Sequence, residues 1–359
     1  MEVDLGELAD HPVEHVGLAQ SVDLDAELKL VHHILGGLGE AADVELQRDK
    51  TLAPGYMQEP IFERFGVPAA EFWAEVKSLE AVHGAGAERR LAADTIYLNL
   101  MLSYVRDGKF RELDNDLLRS LGAEIKLFPG VPQVFPRLTN YAKNLPGSQR
   151  WGISVEHYVV STGLAEMIRG SKVAHHVDGI WGCEFSEHDS GSSQGTTGGP
   201  IREVIYALDN TSKTRALFEI NKGANVDSSI DVNARMDDHH RRVPMSNMIY
   251  IADGPSDVPA FSVVRQGGGR AYAVYDASNE KSFRQAKGLL DDGRVNAFGP
   301  ADFRPKSHTE RWLRVTVEEI ATRIATDQRL TLAEAIGVVP THIVEQAVPE
   351  PIAAIATDS

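Results

Sequence analysis

Two aspartates, Asp253 and Asp257, have a residue type and a spacing that suggest a role in binding or catalysis. They follow the apolar run Met248–Ala252, which has the length of a buried strand, and Asp253 begins the turn Asp-Gly-Pro. Open α/β sheets carry their ligand sites at the carboxyl ends of their strands. Carboxylate oxygens at such a position could hold a divalent cation. The alternative interpretation is a surface turn whose aspartates only cap the next helix.

Polar residues also follow other strand signals in the chain. Residues 47–51, Gln-Arg-Asp-Lys-Thr, lie in a short strand candidate at 44–52. Ser161 and Thr162 follow an apolar strand, and Lys213 opens a predicted helix. Parallel strands bring their carboxyl ends to one edge of a sheet. The sequence therefore predicts that these residues and the two aspartates converge on one pocket.

In order and spacing, these four segments resemble the motifs of the haloacid dehalogenase (HAD) superfamily over roughly residues 43–300. The resemblance is nearest the phosphoserine-phosphatase-like branch, which has a helical cap. The first motif, Asp-x-Asp-x-Thr-Leu, is matched by residues 47–52 with Gln47 in the first position. The second motif, a strand that ends in Ser or Thr, is matched by Ser161. The third motif, a lysine that opens a helix, is matched by Lys213 or, more weakly, by Lys222. The fourth motif, Asp-Gly-x-x-Asp, is matched by residues 253–257.

A second candidate for the first motif lies nearer the start of the chain. Residues 22–27, Val-Asp-Leu-Asp-Ala-Glu, contain two carboxylates at the family's spacing, Asp23 and Asp25. Glu27 replaces the threonine of the motif, and the preceding residues 14–21 form a weak strand pattern. Residues 47–51 are therefore the preferred match.

The resemblance implies a role for each matched residue. In the family, the first aspartate attacks phosphorus and forms an aspartyl-phosphate, and the second is a general acid and then a base. Gln47 stands at the nucleophile position, where its amide is a poor nucleophile, and Asp49 stands at the acid–base position. Ser161 would bind a phosphate oxygen, and Lys213 would stabilise the charge of the transition state. The resemblance further implies a Mg²⁺ cofactor held by Asp49, Asp253 and Asp257, and substrate contacts from Thr51, Thr162 and Gly163. Gln58 and Glu59 follow the first motif closely and could either reach the substrate from the cap or be polar residues at a helix start.

Two hypotheses about function follow. The first is a Mg²⁺-dependent phosphohydrolase acting on a small phosphomonoester. The second is a catalytically impaired homologue that binds a phosphorylated ligand or a protein partner. Gln47 separates the two, because without an aspartate there the aspartyl-phosphate route is closed. Asp49 could then serve only as acid or base for a directly attacking water.

The expected fold is α/β: a HAD-like, Rossmann-like parallel sheet with helices on both faces, because strand and helix patterns alternate. The HAD-like core is assigned to residues 43–56 and 122–330, and a helical cap to residues 57–121. Residues 1–42 are assigned to an N-terminal extension, in which residues 25–35 fit a short helix. Residues 173–208 are assigned to a β-hairpin or flap inserted in the core, and residues 331–359 to a C-terminal helix and tail.

Composition narrows the class of protein. The net charge of −16 argues against a nucleic-acid binder. The single cysteine, Cys183, excludes an internal disulfide and a cysteine-based zinc site. No apolar run reaches the length of a membrane span, and the first residues lack a signal-peptide pattern, so a cytoplasmic protein with no membrane partner is expected.

Three pairs of adjacent histidines occur: His32-His33, His175-His176 and His239-His240. Adjacent side chains on a strand or helix point in different directions, so such a pair rarely supplies two ligands to one ion. Solvated histidines are the expected interpretation.

Overall fold

The computed structural model describes residues 27–32, 51–84, 93–188 and 198–337, with the side chains of 27–32, 84, 93 and 334–337 left out of the description. Its strands are β1 (Glu27–His32), β2 (Ser154–Leu164), β3 (Gly179–Ser186), β4 (Glu203–Tyr206), β5 (Met248–Ala252), β6 (Arg270–Tyr275) and β7 (Ala297–Pro300). Its helices are α1 (Glu59–Phe65), α2 (Ala69–Gly84), α3 (Ala93–Arg106), α4 (Asn115–Gly122), α5 (Val134–Lys143), α6 (Ala165–Gly170), α7 (Lys213–Lys222), α8 (Val258–Gln266), α9 (Glu280–Asp291) and α10 (His308–Gly337).

The described strands form one sheet in the order β4-β3-β2-β1-β5-β6-β7. All neighbouring pairs are parallel except β3 and β4. Strand β5 is buried along its whole length, as expected for a central parallel strand covered on both faces. The predicted α/β class with a parallel sheet is confirmed.

Helices cover both faces of this sheet. The chain moves from β1 to β2 in one direction along the sheet and from β5 to β6 in the other, and right-handed crossovers then put α5 and α8 on opposite faces. Helix α10 packs on α5 and β1, and α7 packs on α8. Helices α1 to α4 lie between β1 and β2 in the chain and form a helical block, residues 59–122.

The first strand is not where the sequence predicted it. Residues 27–32, part of the segment predicted as an N-terminal extension with a short helix, form β1 and pair in parallel with both β2 and β5. The prediction was wrong because the pairing that makes residues 27–32 a strand comes from β2 and β5, which are more than a hundred residues away in the chain. Of the strand candidate at 44–52, residues 44–50 lie outside the described residues, and residues 51 and 52 form a bend.

The predicted hairpin at 173–208 also needs a correction. Strands β3 and β4 do pair in antiparallel fashion, but β3 also pairs in parallel with β2. The pair therefore extends the main sheet at its edge and is not an insertion standing apart from it. The interruption of the β2–β3 register between Val160 and Leu164 coincides with the predicted Ser-Thr-Gly segment.

No helix among the described residues has both the length and the apolar character needed to cross a membrane.

Candidate functional site

The site lies at the carboxyl ends of β2 and β5, on either side of β1. Strand β5 ends at Ala252, and Asp253 follows at once. A short 3₁₀ turn, Pro255–Asp257, then leads into α8, so that Asp257 stands at the start of that helix. The short turn explains why two carboxylates four residues apart in the chain both lie at the carboxyl end of β5.

Thr51 and Asp253 make the contact that joins the first and fourth motifs. The hydroxyl of Thr51 donates a hydrogen bond of 2.9 Å to Oδ1 of Asp253 across 202 positions of the chain. Both side chains are buried. Gln47 and Asp49 lie outside the described residues, but the chain that follows them is held at the site by this bond.

Lys213 and Asp257 join the third and fourth motifs. The ammonium of Lys213 lies 3.1 Å from Oδ1 of Asp257, and both side chains are fully buried. The hydroxyl of Tyr250 donates to the same oxygen at 2.8 Å, and the hydroxyl of Ser256 donates to Oδ2 at 3.2 Å. Asp257 is therefore held in place by three hydrogen bonds, one of them from a positively charged side chain.

The two lysine candidates have different surroundings. Lys213 begins α7 and pairs with Asp257. Lys222 lies at the other end of α7 and donates to the backbone oxygens of Val232 and Ala234. Because the two lysines lie at opposite ends of one helix, only Lys213 contacts the site residues described above.

The second motif, Ser161 to Gly163, is buried between β3 and the start of the helical block. The hydroxyl of Ser161 accepts the backbone N–H of Gly163 at 3.0 Å, and Met57 packs so closely that a β-carbon at Gly163 would lie 2.4 Å from its methyl group. Tyr97 of α3 donates to the backbone oxygen of Thr162 at 2.7 Å. The segment is thus contacted by Met57, just before α1, and by Tyr97 of the helical block.

Gln58 and Glu59, predicted as substrate contacts, have different surroundings. Gln58 is buried just before α1 and lies beside Tyr97, the residue that donates to the backbone oxygen of Thr162. Glu59 lies in a surface cleft together with Glu63 and Glu124. The link from Gln58 to the site thus runs through Tyr97.

Asp94 is a site residue that the sequence analysis missed. It lies in the first turn of α3, is only 8% exposed, and lies close enough to Thr162 and Lys213 for both to act on its carboxyl group. Burial raises the pKa of its carboxyl group to about 6, an effect that Lys213 and Thr162 oppose and Asp209 reinforces. The signal in the sequence was a lone carboxylate within the apolar stretch 91–105, which we interpreted only as core.

The donor set fits the magnesium ion that the resemblance implies. Hard carboxylate oxygens from Asp253 and Asp257 lie at one strand end, with Lys213 beside them. Both oxygens of Asp257 accept hydrogen bonds, and Oδ1 of Asp253 accepts one from Thr51. Carboxylate oxygens of this kind are the ligands that Mg²⁺ prefers.

The alternative first motif at 22–27 does not fit this site. Its last residue, Glu27, begins β1, so the two aspartates precede that strand instead of following it. The site lies at the other end of the parallel strands, where β1 ends at His32. Residues 22–26 themselves lie outside the described residues.

One histidine pair differs from expectation. The imidazoles of His239 and His240 lie with ring centroids 4.2 Å apart, and their ligand atoms and a carboxylate oxygen of Asp237 all lie within 4.8 Å of one another. The two imidazoles lie together because the pair falls in a 3₁₀ turn, Asp238–His240, and not in a regular helix or strand. All three side chains are exposed.

Comparison with known proteins places the chain in a family. No family model matches it. An uncharacterized protein of Borreliella burgdorferi is 34% identical over 274 residues, which cover 74% of this chain and 92% of that protein. The chain belongs to the same family as this Borreliella protein.

Solved structures provide more distant matches. A HAD family hydrolase of Salmonella enterica matches 80% of this chain and 70% of its own, at 10% identity and a TM-score of 0.46. A probable phosphoserine phosphatase of Vibrio cholerae matches 84% of this chain and 68% of its own, at 13% identity and a TM-score of 0.44. A phosphoserine phosphatase in its apo form matches 76% of this chain and 93% of its own, at 14% identity and a TM-score of 0.41. These proteins belong to the group that the sequence motifs resemble, but no activity follows from matches at these identities and TM-scores.

Proposed function

We propose that the protein is a HAD-like phosphohydrolase that removes phosphate from a small phosphomonoester with the help of Mg²⁺. The observation that carries the proposal is the fully buried Lys213–Asp257 pair beside the Thr51–Asp253 contact. A buried ammonium at the end of parallel strands is suited to bind a phosphoryl oxygen and to stabilise the negative charge of the transition state. Ser161 lies on β2, two residues after Val159. Its hydroxyl group is the second donor that we assign to a phosphate oxygen.

In this proposal Asp253, with Asp49 and Asp257 as further oxygen donors, holds the magnesium ion. When bound, Mg²⁺ neutralises part of the charge of the phosphate. Thr51 orients the Asp253 carboxylate, and Asp257 holds Lys213 in place. The pocket would exclude water because the helical block lies over the second motif through Tyr97.

The chemical step depends on Gln47. With no carboxylate there, water attacks phosphorus directly, the phosphorus–oxygen ester bond breaks, and Asp49 takes the proton of the water or supplies one to the leaving oxygen. Such a route is slower than covalent catalysis by an aspartate. The substituted nucleophile position therefore supports a second candidate function, an impaired homologue that binds a phosphorylated ligand without turnover.

The experiment is a measurement of phosphate release from an aryl phosphate and a panel of phosphorylated metabolites with Mg²⁺. Wild type is compared with Gln47→Asp and Asp253→Asn. Matched controls are Gln133→Asp and Asp292→Asn, which make the same changes at exposed positions of helix ends. We expect slow turnover in wild type, a gain of tenfold or more in Gln47→Asp, and loss of turnover in Asp253→Asn.

The outcomes separate the two functions. A silent wild type with an active Gln47→Asp variant supports the impaired homologue. Turnover in wild type that Asp253→Asn leaves intact shows that the phosphohydrolase site has been assigned to the wrong residues. Neither control variant should change the rate.

A further inference from the structure

Asp237, His239 and His240 form a cluster of metal-ligating side chains that the proposed phosphohydrolase chemistry does not use. One ligand atom from each side chain lies within 4.8 Å of the other two, and all three side chains are exposed. The two imidazole rings lie with centroids 4.2 Å apart and an angle of 50° between their planes. Within the part of the chain that the structure describes, no other group of three such side chains converges in this way.

The backbone explains why a carboxylate and two adjacent imidazoles come together here. Residues Asp238–His240 form a short 3₁₀ turn, and Asp237 precedes the turn in an extended conformation. The backbone N–H of His240 donates to the backbone oxygen of Asp237 at 3.0 Å. This bond brings the two ends of the four-residue segment together, with His239 between them.

Arg241 anchors the turn to the rest of the protein. Its guanidinium group donates to the backbone oxygen of Met236 at 3.3 Å and to the side-chain oxygen of Asn221. Asn221 is fully buried in α7, and its amide group donates to the backbone oxygen of Val243 at 2.6 Å. Because the backbone on both sides of the cluster is held in this way, less conformational freedom is lost when an ion binds.

The positive charges next to the cluster are compensated. Nε of Arg241 lies 2.9 Å from Oδ1 of Asp238, and Nη2 of Arg242 lies 2.6 Å from Oε1 of Glu156. Each carboxylate reduces the repulsion that its arginine would exert on a bound cation.

Two imidazoles and one carboxylate are typical ligands of a divalent transition-metal ion. Imidazole suits zinc, copper and nickel, whereas magnesium and calcium prefer oxygen ligands. Ligand atoms on a tetrahedral zinc ion lie about 3.3 Å apart, because the Zn–N and Zn–O bonds are about 2.0–2.2 Å long. Since all three side chains of the cluster are exposed, small rotations can bring their ligand atoms to this separation.

The pair His175-His176 shows that two histidines in a turn are not enough. This pair also ends a 3₁₀ turn, Ala174–His176. The ring of His176 stacks on Phe135 with centroids 6.4 Å apart, and the described residues provide no third ligand that completes a cluster with the pair. The pair is therefore a natural control for the first cluster.

We propose that Asp237, His239 and His240 bind one divalent transition-metal ion, for which zinc is the probe. The three side chains would supply two nitrogen ligands and one oxygen ligand, and water would complete the tetrahedral geometry.

This metal site is separate from the phosphate site. The turn with the cluster is anchored to Asn221 near the C-terminal end of α7, whereas Lys213 begins the same helix and pairs with Asp257. Helix α7 has 10 residues and so spans about 15 Å. The inference therefore does not depend on the proposed function.

Isothermal titration calorimetry of the full chain with Zn²⁺ tests the site. It is run at pH 7.5, because imidazole binds metals in its neutral form. Wild type is compared with His239→Ala, His240→Ala and Asp237→Asn, and the matched control is His175→Ala, at an exposed histidine of the other pair. A second titration in a large excess of Mg²⁺ tests the preference for imidazole ligands. Far-UV circular dichroism checks that each variant is folded, which we expect because the substituted side chains are exposed.

In wild type and His175→Ala we expect the tightest site to take one zinc ion per chain with a Kd below about 100 µM. Excess Mg²⁺ should leave this affinity unchanged. Each of the three ligand variants should weaken zinc binding by at least about tenfold, because the loss of a ligand costs no less than the loss of a supporting hydrogen bond.

Four results would overturn the proposal. Wild type that binds no zinc, or ligand variants that bind it as tightly as wild type, would show that the cluster is not a metal site. A loss in both histidine variants but not in Asp237→Asn would reduce the site to a two-histidine contact. Displacement of zinc by Mg²⁺ would show that carboxylates elsewhere hold the ion. None of these results bears on the phosphohydrolase site.

Discussion

The ammonium of Lys213 lies 3.1 Å from Oδ1 of Asp257, and neither side chain is exposed to solvent. The two residues are 44 positions apart in the chain and meet only where α7 and the turn before α8 come together. Tyr250 and Ser256 add hydrogen bonds to the same carboxylate. A buried pair with this support is well satisfied, but the removal of either partner leaves an unpaired charge in the interior.

The first prediction concerns this pair. Lys213→Met should lower the free energy of unfolding by about 3–5 kcal/mol, because the Asp257 carboxylate then remains buried without its cation. The double variant Lys213→Met with Asp257→Asn should recover most of the loss, since no charge is left. Urea unfolding at pH 7 measures both variants. Equal losses in the single and double variants would show that packing, and not charge, accounts for the effect.

The second prediction concerns the Thr51–Asp253 hydrogen bond. Thr51→Val keeps the volume but leaves the buried carboxylate without this donor, and should lower the free energy of unfolding by about 1.5–3 kcal/mol. Thr326→Val is the matched control, because Thr326 is exposed on α10 and bonds only the helix backbone oxygen of Thr322. The control should change stability by less than about 0.5 kcal/mol. A loss no larger than that of the control would contradict the contact.

The third prediction concerns the contact between α4 of the helical block and α6 of the core. A β-carbon at Gly122 would lie 2.0 Å from the backbone oxygen of Met167, and one at Gly170 would lie 1.7 Å from that of Arg119. Backbone atoms cannot yield as a flexible side chain can, so Gly122→Ala should cost about 1–3 kcal/mol of stability. The two helices would have to separate, and thermal unfolding should report the loss.

The control for this variant is Gly288→Ala in α9. A β-carbon there meets no atom within 4 Å, so alanine should raise the stability by up to about 1 kcal/mol through its higher helix propensity. A destabilised Gly288→Ala or an unaffected Gly122→Ala would show that the close approach of α4 and α6 is not what limits the substitution.

The fourth prediction concerns His157 on β2, which is 3% exposed. Burial, with a smaller contribution from His176, lowers the pKa of its imidazole to about 3. The backbone hydrogen bond of Phe135 and the charge of Glu156 oppose this lowering only in part. A histidine whose pKa is lower in the folded state stabilises the fold above pH 6.5, and this contribution is lost as the pH falls from 6.5 toward 3. Between pH 7 and pH 5 the free energy of unfolding of the wild type should therefore fall by about 2 kcal/mol more than that of His157→Gln.

Urea unfolding of both proteins at pH 7 and pH 5 provides this difference. Glutamine can keep the hydrogen bond to Thr139, which lies 2.9 Å from Nε2 of His157. Contributions from every other titrating group are common to both proteins and cancel. The same pH dependence in the two proteins would mean that His157 is protonated in the folded state.

Much of the candidate site was predictable from local signals. The residues from Met248 to Asp257 form a fully buried strand followed by a turn. Both features depend only on residues that are consecutive in the chain. Lys213 was recognised because it opens a helix, and Ser161 because it follows an apolar strand. Each of these signals spans fewer than about ten residues, which is the range over which hydrophobic period and turn chemistry operate.

By itself, the sequence determined the alternation of strands and helices and the four polar segments at their ends, because these depend on residues close together in the chain. Only the tertiary structure decided that residues 27–32 form the strand between β2 and β5, since a strand's place depends on partners far away in the chain. It also decided that Lys213, and not Lys222, faces Asp257, because the two ends of α7 point to different surroundings. The pKa of Asp94 also depends on the tertiary structure, because burial and a lysine that is distant in the chain determine it. Neither can be recognised from the residues next to Asp94 in the sequence.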